Sequence, residues 1–413
     1  MAREMKDSDI EWIGKIPEEW SVVSLGRLFS ASAGGDAKQE LYSDYQDETH
    51  PYPVYTNSLS KDQVYAYTTT PFFQSNTITV TGRGAIGHAF YRDTPYDAII
   101  RLLSLCPKQT LNCRFYAYWI DTVIPFFTDS AAIGQLSAIQ ITKYKTLFLP
   151  LREQDKISEY LDIECSKINT IIEQTRASIE EYKKLKQSVI TQAVTKGIHP
   201  GRKMKDSGIE WVGEIPEEWE SINPKALFSQ RKEKATAGER QLTASQQYGV
   251  IYQDEYMELT GSKVVTVEKD FDILKHIEEG DFVISMRSFQ GGVEYSTKTG
   301  SISSAYVMLI PNLSMVFPRF FRWLLKSSVY INALQSTSNM VRDGQAMRYS
   351  NFAQVRLYSV PLDEQAEIAN YLDEKCAAID RLVKQKESFL TELGFYKKSL
   401  IFEYVTGKKE VPE

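Results

Sequence analysis

Met204-Lys205-Asp206-Ser207-Gly208-Ile209-Glu210-Trp211-Val212-Gly213-Glu214-Ile215-Pro216-Glu217-Glu218-Trp219 repeats an N-terminal stretch with mild changes. The earlier copy is Met5-Lys6-Asp7-Ser8-Asp9-Ile10-Glu11-Trp12-Ile13-Gly14-Lys15-Ile16-Pro17-Glu18-Glu19-Trp20. A repeat this long in mid-chain marks a duplication. It extends to the end of the chain. Leu149-Pro150-Leu151-Arg152-Glu153-Gln154 returns as Val360-Pro361-Leu362-Asp363-Glu364-Gln365, and that register holds without a gap through Val194-Thr195 and Val405-Thr406. The offset differs between the two repeats, so insertions lie in the segments between them. The chain therefore reads motif, variable block, long helix, and then the same again.

At 413 residues the chain exceeds one ordinary core and suits about two to four domains. Hydrophobic content of 42% and charged content of 25% describe a soluble globular protein. No apolar run is long enough to cross a bilayer and no leader opens the chain, so a cytoplasmic protein without membrane association is expected. Cys106, Cys113, Cys165 and Cys376 show no metal-type pair spacing, which fits a reducing compartment. The net charge of −6 runs against tight phosphate binding, because Lys and Arg dominate that affinity. The variable blocks are near neutral, with −1 over residues 30–150 and +2 over residues 229–360. Tight DNA binding would need a partner's positive surface.

Each opening motif reads as an extended segment anchored by two indoles, Trp12 and Trp20 in the first copy. In the first block, β-branched Thr77-Ile78-Thr79-Val80-Thr81 predicts a strand. Gly82-Arg83-Gly84-Ala85-Ile86-Gly87 matches the dinucleotide fingerprint, but His88-Ala89-Phe90-Tyr91 reads as a second strand. That fingerprint needs a helix there to aim its N-terminus at a pyrophosphate, so a hairpin is expected instead. Asp281 to Tyr295 in the second block has the same strand–Arg–Gly–strand shape, with Arg287 opposite Arg83. The shared feature is an arginine on a glycine turn. It can bridge phosphates or fork onto guanine O6 and N7, and the plain alternative is a solvated surface arginine. Aromatic helices follow around Arg114–Ile120 and Arg319–Leu325, then the pairs Gly134-Gln135 and Gly344-Gln345 in polar loops. Glutamine can pair with adenine, and Lys143, Arg342 and Arg348 lie near these loops.

The long helices carry the clearest pattern. Ile157, Leu161, Cys165, Ile168, Ile172, Thr175, Ile179, Tyr182, Val189 and Ala193 step by threes and fours, with Lys186 interrupting. Ile368, Leu372, Cys376, Ile379, Val383, Leu390, Leu393, Leu400 and Tyr404 repeat the seam. Two such helices predict an antiparallel coiled coil that holds the blocks apart. The expected class is α+β: two globular domains of mixed sheet plus helices, separated by two long helices, with a pseudo-twofold internal repeat. The expected boundaries are residues 1–150 and 204–360 for the two globular domains, with 151–203 and 361–413 for the helices and their tails. There is no phosphate-cradling Gly-rich loop, no metal-type His/Cys cluster and no Asn-Pro-Pro-Tyr or Asp-Pro-Pro-Tyr run of the kind used by methyltransferases that act on amino groups. Neither a cofactor, a metal nor a catalytic residue is expected.

Together the two Lys-Asp-Ser-x-Ile-Glu-Trp motifs (from Lys6 and Lys205) and the two Pro-Leu-x-Glu-Gln openings (from Pro150 and Pro361) make the whole chain resemble the specificity subunit of a type I restriction–modification system. The resemblance implies two target recognition domains, each reading half of a split, asymmetric sequence in double-stranded DNA. It implies helices that act as ruler and as docking surface for two methyltransferase subunits, with restriction subunits joining them. The chain itself would be a non-catalytic part of an adenine-N6 methylating complex. Candidate DNA contacts, from residue chemistry and loop placement, are Asn57, Arg83, His88, Gln135 and Lys143 in the first block. In the second they are Gln246, Tyr248, Arg287, Gln290, Arg342, Gln345 and Arg348. The alternative is a protein-binding scaffold with no DNA readout, which would lack sequence-selective, salt-dependent binding.

Overall fold

The computed structural model describes residues 3–126, 134–264, 266–267, 273–285, 288–337 and 348–412. It divides into two compact units, Met1–Arg176 with Ser388–Glu413, and Ala177–Glu387. Both long helices, Leu151–Lys196 and Leu362–Val405, contribute one part to each unit. Among the described residues no helix is long and apolar enough to cross a membrane.

In the first unit an antiparallel sheet has the spatial order Phe29–Ala33, Leu103–Pro107, Thr77–Val80, Ala89–Arg92. The second unit repeats that order with Phe228–Arg231, Val307–Pro311, Phe282–Ile284 and Glu294–Tyr295. Central strands Thr77–Val80 and Phe282–Ile284 are buried along their whole length, which continuous β-branched and aromatic runs favour. The aromatic helix Cys113–Thr122 buries Phe115, Tyr116 and Trp119; its counterpart Pro318–Leu324 buries Phe320, Phe321 and Leu324. In each unit these side chains fuse sheet, aromatic helix and long-helix stripe into one core.

The repeated Pro-Leu-x-Glu-Gln openings act as brackets. Glu153 accepts Trp20 Nε1–H at 2.8 Å and the Arg3 guanidinium, and Glu364 accepts Trp219 Nε1–H at 2.9 Å and Arg202. The next residue ties the aromatic helix to the long one. Gln154 Oε1 accepts Asn112 N–H at 2.9 Å, and Gln365 Oε1 accepts Phe317 N–H at 2.7 Å. Asp162 and Asp373, about two turns on, hold that helix again: Asp162 through Arg114 and Tyr118, Asp373 through Arg319, Arg322 and Trp323. Trp20 and Trp219 are fully buried, but Trp12 is 49% exposed, so it does not anchor the first motif. Its counterpart Trp211 is half-buried and donates to Arg356 O. Gly197 and Gly407 close the long helices at φ +72° and +71°. A Cβ there would meet Glu364 or Pro17 as well as strain the backbone, hence glycine at both ends.

The helices pair antiparallel in both units. In the first, Tyr404 meets Tyr160 (3.2 Å) and Lys397 meets Asn169 (2.8 Å); in the second, Lys186 meets Asp380 (2.7 Å) and Lys386 lies over Tyr182. Numbers fall on one helix as they rise on the other. Lys186, which breaks the apolar stripe, thus has a carboxylate waiting. Ile157, Leu161, Cys165, Ile168, Ile368, Leu372, Cys376 and Ile379 of the predicted stripe are buried.

Candidate nucleic-acid interface

The glycine turn of the first unit is a hairpin, as its sequence predicts, with Val80 opposite Ala89 and no helix after Gly87. Thr81 closes it: its hydroxyl donates to Ala85 O (2.6 Å) and accepts His88 N–H (2.9 Å). Arg83 at the tip is exposed, and its guanidinium donates to Gln135 Oε1 at 3.2 Å. The two strands of chain also form a backbone bridge at Arg83 and Gln135. Gly82 sits so close that a Cβ would lie 3.0 Å from both Arg101 O and Leu136 O. A side chain there would press on both carbonyls, so glycine eases the convergence of the three segments.

Asn57 is the clamp beneath them. Its Oδ1 accepts Gly82 N–H (2.8 Å) and Arg83 N–H (3.3 Å), and its Nδ2 donates to Ile100 O (2.7 Å). Both ends of the Asn57 amide are therefore engaged inside the protein. His88 lies at 3.3 Å from Asp121 of the aromatic helix. Lys143 is exposed in the turn before Lys145–Phe148 and makes no described contact with the Arg83 cluster. Asn57, Arg83 and Gln135 thus form one locus, with His88 at the base of the same hairpin and Lys143 apart. The sequence reading missed Ile100 and Arg101, which complete this surface. No glycine or asparagine there signals the left-handed backbone they adopt, at φ 52° and 61°.

In the second unit the turn between Leu242–Ser245 and Gly249–Tyr252 carries Gln246 and Tyr248. The strand–Arg–Gly–strand expectation needs correction, because one helical turn, Ser288–Gly291, intervenes between Phe282–Ile284 and Glu294–Tyr295. Gln246 packs over that turn, its Cγ 2.5 Å from where a Gly291 Cβ would stand, next to exposed Gln290. Tyr248 is 37% exposed and meets Tyr256 edge-on at 6.1 Å. Lys326, also missed from sequence, bonds buried Glu294 at 2.6 Å and reaches Gln246 O at 3.5 Å. Burial pushes the Glu294 carboxyl above its usual range, against the pull of Lys326. A cleft of about 200 Å³ lies between Tyr248, Glu294, Arg322 and Lys326. Gln246, Tyr248 and Gln290 come together; Arg348, exposed before Tyr349–Gln354, makes no described contact with them. Arg287, Arg342 and Gln345 lie outside the described residues.

The segment leading into this hairpin is pinned by charge. His276 Nδ1 is 3.0 Å from Glu239 and its Nε2 3.4 Å from Glu278. Arg231 is buried against Asp281 (2.6 Å) and reaches Glu233 and Glu278. Burial opposes the imidazolium, yet Glu239 and Glu278 outweigh it and raise the His276 pKa above its ordinary 6.5. The imidazolium's stabilising contribution is therefore complete below 6.5 and lost as pH rises through the raised value. His276→Gln should lower the denaturation midpoint at pH 6 and leave it unchanged at pH 9; equal losses at both would disprove this linkage.

Residues 17–181 match the family model described as the type I restriction modification DNA specificity domain. A type I specificity subunit of Mycoplasma pneumoniae, S.MpnORF89P, is 30% identical over 40% of this chain and 50% of its own length. A second from that organism, S.MpnORF507P, is matched over 40% of its length, so the chain spans about half or less of these two relatives. S.MpnORF289P C-terminus, from the same organism, is 33% identical over 29% of this chain and 81% of its own length. The MjaX specificity subunit of Methanocaldococcus jannaschii is 25% identical across 97% of this chain and 96% of its own. A chain from a solved type I R-M system superposes with a TM-score of 0.68 at 11% identity, covering 95% of this chain and 99% of that one. The HsdS subunit from Thermoanaerobacter tengcongensis gives 0.50 at 11% identity over 95% and 98%. Those two share the fold, a mixture of helix and sheet, and the sequence matches carry the kinship. With the doubled motifs and their brackets repeated in both halves, the chain belongs to the specificity subunits of type I restriction–modification systems.

Proposed function

We propose that this chain selects the DNA target of a type I restriction–modification complex, its blocks at residues 1–150 and 204–360 each reading one half of a split, asymmetric sequence. The observation that carries this reading is one sheet-and-helix frame built twice, with different side chains at corresponding tips. Arg83 and Gln135 crown one frame, held from beneath by Asn57; Gln246, Tyr248 and Gln290 crown the other. A shared frame with unlike tips suits two unlike half-sites. Arginine and glutamine forks supply the means of reading base edges, and His88, Lys143, Arg287, Arg342, Gln345 and Arg348 are assigned to the same DNA surface. Residues 151–203 and 361–413 form the antiparallel coiled coil that sets the spacing and docks two methyltransferase subunits, with restriction subunits joining the complex. The chain contributes no catalytic group, and its near-neutral blocks leave much of the positive surface to those partners.

The test is a genome-wide map of N6-methyladenine in cells making the methyltransferase subunit with and without this chain. A split motif methylated only when the chain is present supports the proposal. An unchanged map would leave the chain a scaffold without DNA readout.

A further inference from the structure

Among the described residues, four outside glycine have positive φ: Asp9, Asn76, Ile100 and Arg101. Asp and Asn tolerate that conformation, while a β-branched isoleucine resists it strongly. Two such residues in succession persist only where the surroundings hold them. Here the surroundings do. Ile100 N–H donates to Gly35 O (2.8 Å), Arg101 N–H to Gly34 O (3.2 Å), and Asn57 Nδ2–H to Ile100 O (2.7 Å). Gly34 N–H in turn donates to Leu102 O (2.7 Å), and Gly82 backs directly onto Arg101 O. Three separate segments therefore fix the backbone of a dipeptide whose side chains remain in solvent, Ile100 at 44% exposure. The Arg101 guanidinium makes no hydrogen bond or ion pair with any described residue, and the Arg101 backbone carbonyl backs onto Gly82, the neighbour of Arg83. The second unit has no such left-handed pair among its described residues.

Strain of this kind brings no packing in return, since neither side chain enters the core. We propose that Ile100–Arg101 is a specificity-determining DNA contact of the first unit, preset in its bound shape and acting beside Arg83. The inference rests on the DNA-reading function above and names residues for it. Arg101 forks onto a guanine through O6 and N7, and Ile100 meets the methyl group of a neighbouring thymine. Asn57 is a positioning residue: it holds the Arg83 turn and the Ile100 tip in one register.

The test uses the full chain assembled with its methyltransferase subunits, scoring methylation of a library that varies every position of the mapped target. Arg101→Ala and Arg101→Lys should each lose about tenfold to a hundredfold discrimination at one position of one half-site. Lysine keeps the charge but not the planar fork. Ile100→Gly relieves the backbone, so it should melt no lower than the parent and yet relax the adjacent position. Full selectivity in Arg101→Ala, or its complete restoration by Arg101→Lys, overturns the base-reading role. Unchanged selectivity in Ile100→Gly would reduce that residue to scaffold. A parent complex that selects no sequence refutes the DNA-reading function as well, which separates the two failures.

Discussion

Glu364→Ala lowers the stability of the second unit by about 3–5 kcal/mol, the loss expected when one member of a buried charged pair is removed. Glu364 is 8% exposed and accepts from both fully buried Trp219 and Arg202. Truncation leaves an indole N–H stacked 5.2 Å from Tyr358 without an acceptor, and a guanidinium with only exposed Glu218 to turn to. Glu364→Gln keeps an acceptor for Trp219 and gives up the charge, so its loss should be smaller. Glu153→Ala is the twin experiment in the first unit, and milder, because Glu153 is 24% exposed. Chemical denaturation of the full chain measures all three. A loss below about 1 kcal/mol in Glu364→Ala would mean that the bracket does not dock motif to helix.

Lengthening both long helices changes the gap in the DNA target and leaves its letters alone. One heptad inserted after Arg176 and one after Glu387 keeps the apolar stripe in phase. It extends each helix by about 10 Å, since the rise is about 1.5 Å per residue. At about 3.4 Å per base pair, the unspecified spacer should grow by up to about three base pairs. Inserting into one helix alone puts the Lys186–Asp380 and Lys397–Asn169 pairings out of register and should cost assembly. A map of methylated adenines on the double insertion reads the result. Altered letters in either half would refute the role of the helices as spacer.

Duplication, long helices and aromatic helices were legible because each rests on period and repetition. A stripe at threes and fours has few other readings, and a strand after Gly87 rules out the dinucleotide helix by itself. The tips were legible only in part. Arg83 and Gln135 stand out by residue type, and the fold brings them within 3.2 Å. Asn57 stands out as a polar loop residue, and its hold on the loops from below depends on segments 25 and 43 residues away, which no local pattern shows. Ile100 and Arg101 were invisible for a related reason: long-range hydrogen bonds impose their conformation, and nothing local announces it. Tertiary override of the same kind turns Ser288–Gly291 into a helical turn where the first unit has a plain hairpin. Trp12 shows the converse, a residue whose type suggests burial and whose place in the turn between strands Met5–Asp7 and Lys15–Pro17 leaves it in solvent.

The division of labour between the two blocks can be read most directly from paired methylation maps of Arg83→Ala and Gln246→Ala, each in the full complex. The first should relax only the half-site read by residues 1–150, and the second only the other half. Relaxation of both halves by either variant, or of the same half by both, would contradict one block for each half-site.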